Sequence, residues 1–274
     1  MEKFQINVLN GTTSYFYNEG HKNNITLMLL HGGTMSKTSM IPLGNALSDY
    51  RLIIPDLSGH GESDAPIYAS VESHADFIEA FIEEMYHNSV IVGPLILIGY
   101  CLSGSISLEI ARRNNPYVSG IVSLAGSARL PLESRIHYAL DGKTPETFNY
   151  IDVFQTGHPT RLTGLTESQI QITQALEPLT TCFYDLICVT QYNRWNEMYK
   201  INIPTLLISG DMDITVPTMS VASLRNEIPT AMLYVIPYTG HALLYKSFDS
   251  IVSVIRTFIE TGYDYSAQFQ SLSL

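Results

Sequence analysis

Positive charge is scarce in this chain. Its 274 residues carry 15 Lys and Arg against 26 Asp and Glu, a formal net charge of −11 at pH 7. No basic run or arginine-rich stripe offsets that balance locally, so polyphosphate would be repelled and nucleic acid is not an expected partner. Cysteine is scarce as well. Cys101, Cys182 and Cys188 are an odd set in a chain long enough to fold without staples, which fits free thiols in a reducing compartment better than a disulfide framework. Long hydrophobic runs are missing: the longest apolar stretches, such as 27–30 and 94–99, fall far short of a membrane-spanning length of ~20 residues. The first nine residues alternate like a strand and lack the three regions of a signal peptide, so the expected location is cytoplasmic. Repeats and low-complexity segments are absent too. What is abundant is apolar material, 45% of the chain, with charged residues at only 15%. That supports a sizeable core and excludes disordered and fibrous classes.

The pattern alternates two kinds of element. Residues 4–9 and 13–17 are β-rich and flank Asn10-Gly11, a dipeptide suited to a tight hairpin, so an antiparallel pair should open the chain. Runs at 25–30, 51–55, 94–99, 120–125, 204–209 and 231–236 are apolar without strict alternation, as in strands buried on both faces of a parallel sheet. Between them Phe77, Ile78, Phe81, Ile82 and Met85 recur at helical spacing, as do Ile106 and Ile110, then Ile251, Val254, Ile255 and Phe258. Strands alternating with helices predict an α/β fold with right-handed crossovers. The alternation breaks over 126–202, where Pro131, Pro145 and Pro159 precede a more helical piece at 167–199 interrupted at Pro178. This length suits a helical insertion over the sheet. The polar tail, 263–274, is expected to be loosely ordered.

The sharpest chemical signal is a buried strand running straight into a helix at Leu95-Ile-Leu-Ile-Gly99-Tyr100-Cys101-Leu102-Ser103-Gly104. A turn this tight needs small residues two positions either side of its apex, here Gly99 and Ser103, so that the apical side chain is presented in a strained conformation. Cys101 stands at that apex. The helix amides that follow favour an anion there, whether a thiolate or an oxyanion.

At this turn the chain resembles the α/β-hydrolase superfamily in its capped, esterase- and lipase-like form, with Cys in place of the usual Ser. The resemblance extends to Leu30-His31-Gly32-Gly33-Thr34, similar to the family's oxyanion loop, and to Asp56-Leu-Ser-Gly59-His60-Gly61-Glu-Ser63, similar to its D-x-x-G-x-G-x-S turn. Gly210-Asp211-Met-Asp213 resembles the acid loop, and Gly240-His241 stands where the family carries its histidine. The order nucleophile, acid, histidine is that of this fold. The resemblance implies a mostly parallel sheet with helices on both faces, a core domain of 1–126 and 201–274, and a helical cap at 127–200.

It also implies a Cys101, His241, Asp213 triad, with the backbone N–H groups of Gly33 and Leu102 as oxyanion donors. A thiol with an ordinary pKa of about 8.5 is mostly protonated at neutral pH, so an imidazole base is needed, and that base needs a carboxylate to fix its tautomer. Asp211 competes for the acid role and is expected to support the turn instead. The implied activity is hydrolysis of a small carboxylic ester, lactone or thioester, with a small-molecule acyl substrate and no cofactor. Acyl transfer, and a catalytically weak ligand-binding or signalling member, are the alternatives. Dehalogenase chemistry is disfavoured, since those members carry aspartate where Cys101 stands.

Other residues have plainer readings. His31 and His60 lie in Gly-bearing turns without zinc-like spacing and are expected to brace loops, not to hold metal. No G-x-G-x-x-G follows the early strand, so a nicotinamide cofactor is not supported. Tyr138, Phe148, Tyr150, Phe154, Phe183, Tyr184 and Trp195 suit an apolar pocket cover, most of them packing the insertion onto the body. Cys182 and Cys188 are expected to be small core residues. Arg129, Arg135 and Arg161 are the cations available to an anionic substrate. The oligomeric state is left open.

Overall fold

The computed structural model describes residues 1–21, 24–131, 135–148 and 178–261. Its centre is an eight-stranded sheet in the order β1-β2-β4-β3-β5-β6-β7-β8. β1 (Glu2–Val8) and β2 (Gly11–Asn18) form an antiparallel hairpin, and β2 is also antiparallel to β4 (Arg51–Pro55). From β4 onward every pairing is parallel, through β3 (Thr26–Leu30), β5 (Leu95–Tyr100), β6 (Val118–Leu124), β7 (Thr205–Gly210) and β8 (Ala231–Ile236). All six apolar runs read from the sequence are these parallel strands.

Their lack of alternation has a direct cause, because both faces of the sheet are covered. Met28, Leu30, Leu95 and Leu97 join one core with Phe77, Ile78, Phe81 and Ile82 of α2 (Val71–His87) and Ile106 and Ile110 of α3 (Leu102–Arg112). Their strand neighbours Leu27, Leu29, Ile96 and Ile98 point the other way. They meet Leu43 of α1 (Ile41–Ala46) and Ile251, Ile255 and Phe258 of the last helix, Phe248–Glu260. The Ser70 hydroxyl caps α2 by accepting the Ser73 N–H at 3.1 Å.

Chain order places the crevice. β4 lies on one side of β3 and β5 on the other, so the crossovers after β3 leave in opposite directions and open a gap at the carboxyl ends of β3 and β5. The loop beginning at His31 and the turn at Cys101 leave the sheet at that gap.

Two local expectations change. The hairpin turn is Leu9-Asn10, with Leu9 at φ +50, while Gly11 is already paired with Val8. Gly11 is needed for a different reason: a Cβ there would lie 2.5 Å from the Ala65 Cα. Helices at Ile41–Ala46, Thr218–Glu227 and Leu243–Lys246 appear where no periodicity marked them. Within 127–200 the structure describes α4 (Arg135–Leu140), α5 (Leu179–Gln191, beginning directly after Pro178) and a 3-10 turn Trp195–Lys200, with an isolated antiparallel bridge between Arg129 and Asn193. Residues 149–177, with Tyr150, Phe154 and Arg161, and the tail 263–274 lie outside the described residues. Among those described, no helix is long and apolar enough to cross a membrane.

Candidate active site

The turn after β5 is built around an unusual backbone. Cys101 has φ +54 and ψ −113, a region in which a side chain costs ~1–3 kcal/mol and which persists only when the surroundings hold it. Its N–H donates to the Leu124 carbonyl at 2.8 Å, and its carbonyl accepts from Ser105 N–H at 3.2 Å as α3 begins. Gly99 is obligatory, because a Cβ there would lie 2.1 Å from the Ser103 carbonyl oxygen. Ser103 does more than stay small: its buried hydroxyl donates to the His31 carbonyl and ties the turn to the loop after β3. Cys101 itself is half-buried.

The acid and histidine come from the ends of β7 and β8. Asp213 Oδ1 accepts the Thr215 and Val216 N–H groups, both at 2.9 Å, and Oδ2 accepts Nδ1–H of His241 at 2.8 Å. His241 Nε2 then lies 3.2 Å from the Cys101 Sγ. Asp211 is exposed and accepts the Thr239 N–H at 3.1 Å, bracing the loop that carries His241. Tyr100 supports the histidine twice, through its OH to the His241 carbonyl at 2.9 Å and through ring stacking at 5.8 Å between centroids. Burial alone would lower the His241 pKa. The negative charges of Asp213 and of a Cys101 thiolate outweigh it, holding the imidazole well above its ordinary value.

The loop after β3 lies against this turn. A Cβ on Gly32 would sit 3.1 Å from the Tyr100 ring and 3.4 Å from the Cys101 Cβ. Leu102 opens α3, so helical geometry leaves its N–H without an intrahelical acceptor. His31 is fully buried: Nδ1 donates to the Gly32 carbonyl at 2.8 Å and Nε2 accepts the Leu57 N–H at 3.0 Å. Burial, reinforced by the nearby His60, holds its pKa well below the usual range, so it is a neutral brace. His60 contacts the Ser58 carbonyl at 2.9 Å and Asp185 at 3.0 Å.

Three supports had no sequence reading. The Lys37 ammonium, 3% exposed, bridges Asp56 at 2.6 Å and Glu62 at 2.8 Å beneath the Asp56–Ser63 turn. Hydrogen bonds from Lys37, Lys3 and Ser14 pull the Glu62 carboxyl down to about 2. The other two are Tyr100 and Asp185, whose signals were present but local: a tyrosine beside the apex, and one acid inside the apolar run 182–189.

The remaining candidates are spread. Phe148 and Phe183 are buried edge to face at 5.5 Å, and Tyr184 meets Phe183 at 5.6 Å, so these aromatics pack the insertion itself. Arg129 lies over Trp195 at 5.4 Å, and the two line an open cleft of about 740 Å³ with His137 and Ser220. The Arg135 and Tyr138 side chains lie outside the described set. Cys182 and Cys188 are buried core residues; burial pushes the Cys188 thiol up, and its Sγ faces the Tyr68 carbonyl at 3.5 Å.

These features define a class. The chain belongs to the alpha/beta hydrolase fold family, whose model matches residues 25–248. It is 25% identical to a Bacillus subtilis (strain 168) protein provisionally named 2-succinyl-6-hydroxy-2,4-cyclohexadiene-1-carboxylate synthase, over 94% of this chain and 100% of that protein. It is also 25% identical to Lipase 1 of Psychrobacter immobilis, over 94% of this chain and 84% of the lipase. Among solved structures, the enol-lactonase from Burkholderia xenovorans LB400 superposes with a TM-score of 0.78 at 16% identity, covering 93% of this chain and 99% of the enzyme. That likeness is one of fold.

Proposed function

We propose that this protein is a carboxylic ester hydrolase acting on a small ester, lactone or thioester through Cys101, His241 and Asp213. The observation that carries the reading is the continuous hydrogen-bonded chain from Asp213 to His241 at 2.8 Å and on to the Cys101 Sγ at 3.2 Å, ending on a strained apex. A lipase among the relatives supports the same substrate chemistry.

The thiolate attacks the substrate carbonyl carbon while His241 holds the proton. The carbonyl oxygen becomes an oxyanion, and the N–H groups of Gly33 and Leu102 receive it. Collapse breaks the bond to the leaving group, which takes the proton from His241, and a thioester on Cys101 remains. Water then attacks with His241 as base, the acid departs, and the thiol is restored. Asp213 keeps Nδ1 protonated, so that Nε2 faces sulfur throughout. In this reading α5, the described part of the candidate cap 127–200 that meets the loops after β3 and β4, helps to cover the crevice.

The test mixes the protein with p-nitrophenyl acetate and butyrate while nitrophenol release and intact mass are followed, with Cys101→Ala alongside. A burst with an acyl mass increment, absent in the variant, is the expected result. No burst, adduct or turnover across several acyl lengths would refute the reading. Added amine or thiol that diverts product from the free acid would mark acyl transfer.

A further inference from the structure

Asp185 is a buried acid outside the triad. It lies in the middle of α5, within Phe183-Tyr-Asp-Leu-Ile-Cys188, and is 1% exposed. A buried carboxylate is costly unless paired, so its partners carry its explanation. Oδ2 accepts the Thr34 N–H at 2.5 Å and meets His60 Nε2 at 3.0 Å, while Oδ1 is buried without a partner among the described residues. The other His60 nitrogen faces the Ser58 carbonyl, which only accepts, so Nδ1 bears a proton. Nε2 meets the Asp185 carboxyl at 3.0 Å, so the ring joins the loop after β4 to α5.

Both partners belong to the loops that shape the crevice. Thr34 has φ +65, a conformation that a β-branched residue adopts only under constraint. Its amide is held there by Asp185. The preceding residue is in contact as well, since a Cβ on Gly33 would lie 3.1 Å from the Asp185 Cβ. One turn earlier on the same helix, the Thr181 hydroxyl reaches the Gly59 carbonyl at 3.4 Å. From the other side, Ser103 holds the His31 carbonyl. The segment from His31 to Thr34 is thus clamped between α5 and the Cys101 turn.

We propose that Asp185 is a positioning residue: by accepting the Thr34 N–H while paired with His60, it holds the Gly33 amide in the orientation that receives the oxyanion. The inference rests on the hydrolase reading above. It makes the seating of α5, part of the proposed cap, a condition for acylation and not for thiol reactivity as such.

Two reactions of Cys101 separate these. Acylation by p-nitrophenyl butyrate forms an S–C bond, passes through an oxyanion and expels p-nitrophenolate. Alkylation by iodoacetamide forms an S–C bond at a saturated carbon, expels iodide and creates no oxyanion. Both are followed by intact mass and peptide mapping in the wild type, Asp185→Asn and Asp185→Ala. The expected result is an acylation rate about 30-fold lower in Asp185→Ala, somewhat below the loss caused by deleting an oxyanion donor outright. Asp185→Asn should fall between, because its amide oxygen still accepts from Thr34, and alkylation should stay within about twofold in all three. Should Asp185→Ala fail to fold, Asp185→Ala/His60→Gln replaces the imidazole left without its partner and carries the same expectation. Acylation at the wild-type rate, or acylation and alkylation falling in parallel, overturns the proposal. A wild type that is alkylated but never acylated defeats the hydrolase reading itself, whereas an acylated wild type matched by Asp185→Ala defeats only this inference.

Discussion

Among the described residues, two aspartate–histidine pairs have nearly equal length, Asp213 with His241 at 2.8 Å and Asp185 with His60 at 3.0 Å. They differ in what the second ring nitrogen faces. In His241 it meets the half-buried Cys101 thiol, a group that exchanges a proton; in His60 it meets the Ser58 carbonyl, which does not. The first pair is therefore suited to moving a proton and the second to holding two loops and a helix together. A carboxylate beside an imidazole does not by itself define a catalytic centre. The third group decides.

Exchanging activity for stability as the readout should reverse the ranking of the two pairs. The largest expected effect is on turnover: His241→Ala should lower kcat/KM by about 10⁴-fold or more and Asp213→Asn by about 10³-fold, with the fold retained by circular dichroism. His60→Ala takes one hydrogen-bond partner from the buried Asp185 carboxyl, and should cost ~1–3 kcal/mol in urea denaturation. Asp213 keeps two backbone N–H donors when His241 is lost, so His241→Ala should cost clearly less by the same measurement.

A smaller effect at the first pair is read by pH. The folded-state pKa of His241 lies above its unfolded value of about 6.5, so its stabilising contribution is complete below that pH and is lost as pH rises through the folded value. Urea midpoints measured from pH 6 upward should show this decline. It should shrink in Cys101→Ala, where only Asp213 still raises the imidazole. The smallest effect is expected at the exposed end of the Lys37 network. Lys3 and Glu62 are about half exposed, and Lys3→Ala should change stability by no more than ~0.5 kcal/mol. A loss as large as that of His60→Ala would contradict the contrast between buried and solvated pairs.

Much of the architecture was legible because burial on two faces leaves a simple mark. The six apolar runs are the six parallel strands, and the spacing of Phe77 to Met85 is the buried face of α2. Helices with weak amphipathic marking, such as Thr218–Glu227 with only Val221 and Leu224 buried, left none. The Asn10-Gly11 signal found the hairpin and misplaced its turn, since the requirement for Gly11 comes from the distant Ala65 backbone. At the site, Cys101, Asp213 and His241 were readable from motifs at strand ends, and the structure brings them together. Asp185, Lys37 and Tyr100 were not, because each acts on a partner far away in sequence or through a backbone atom that sequence does not display.

The sequence by itself determined the alternation of elements, the strained apex at Cys101 and the choice of side chains able to attack, accept a proton and orient. These depend on local sterics and on periodic burial. Only the tertiary structure decided which carboxylate meets which imidazole. Asp213 faces His241 because β7 and β8 are adjacent and parallel, and Asp185 faces His60 because α5 lies across the loops after β3 and β4. Short-range interactions between residues 28 and 125 positions apart exist only once the sheet order is set.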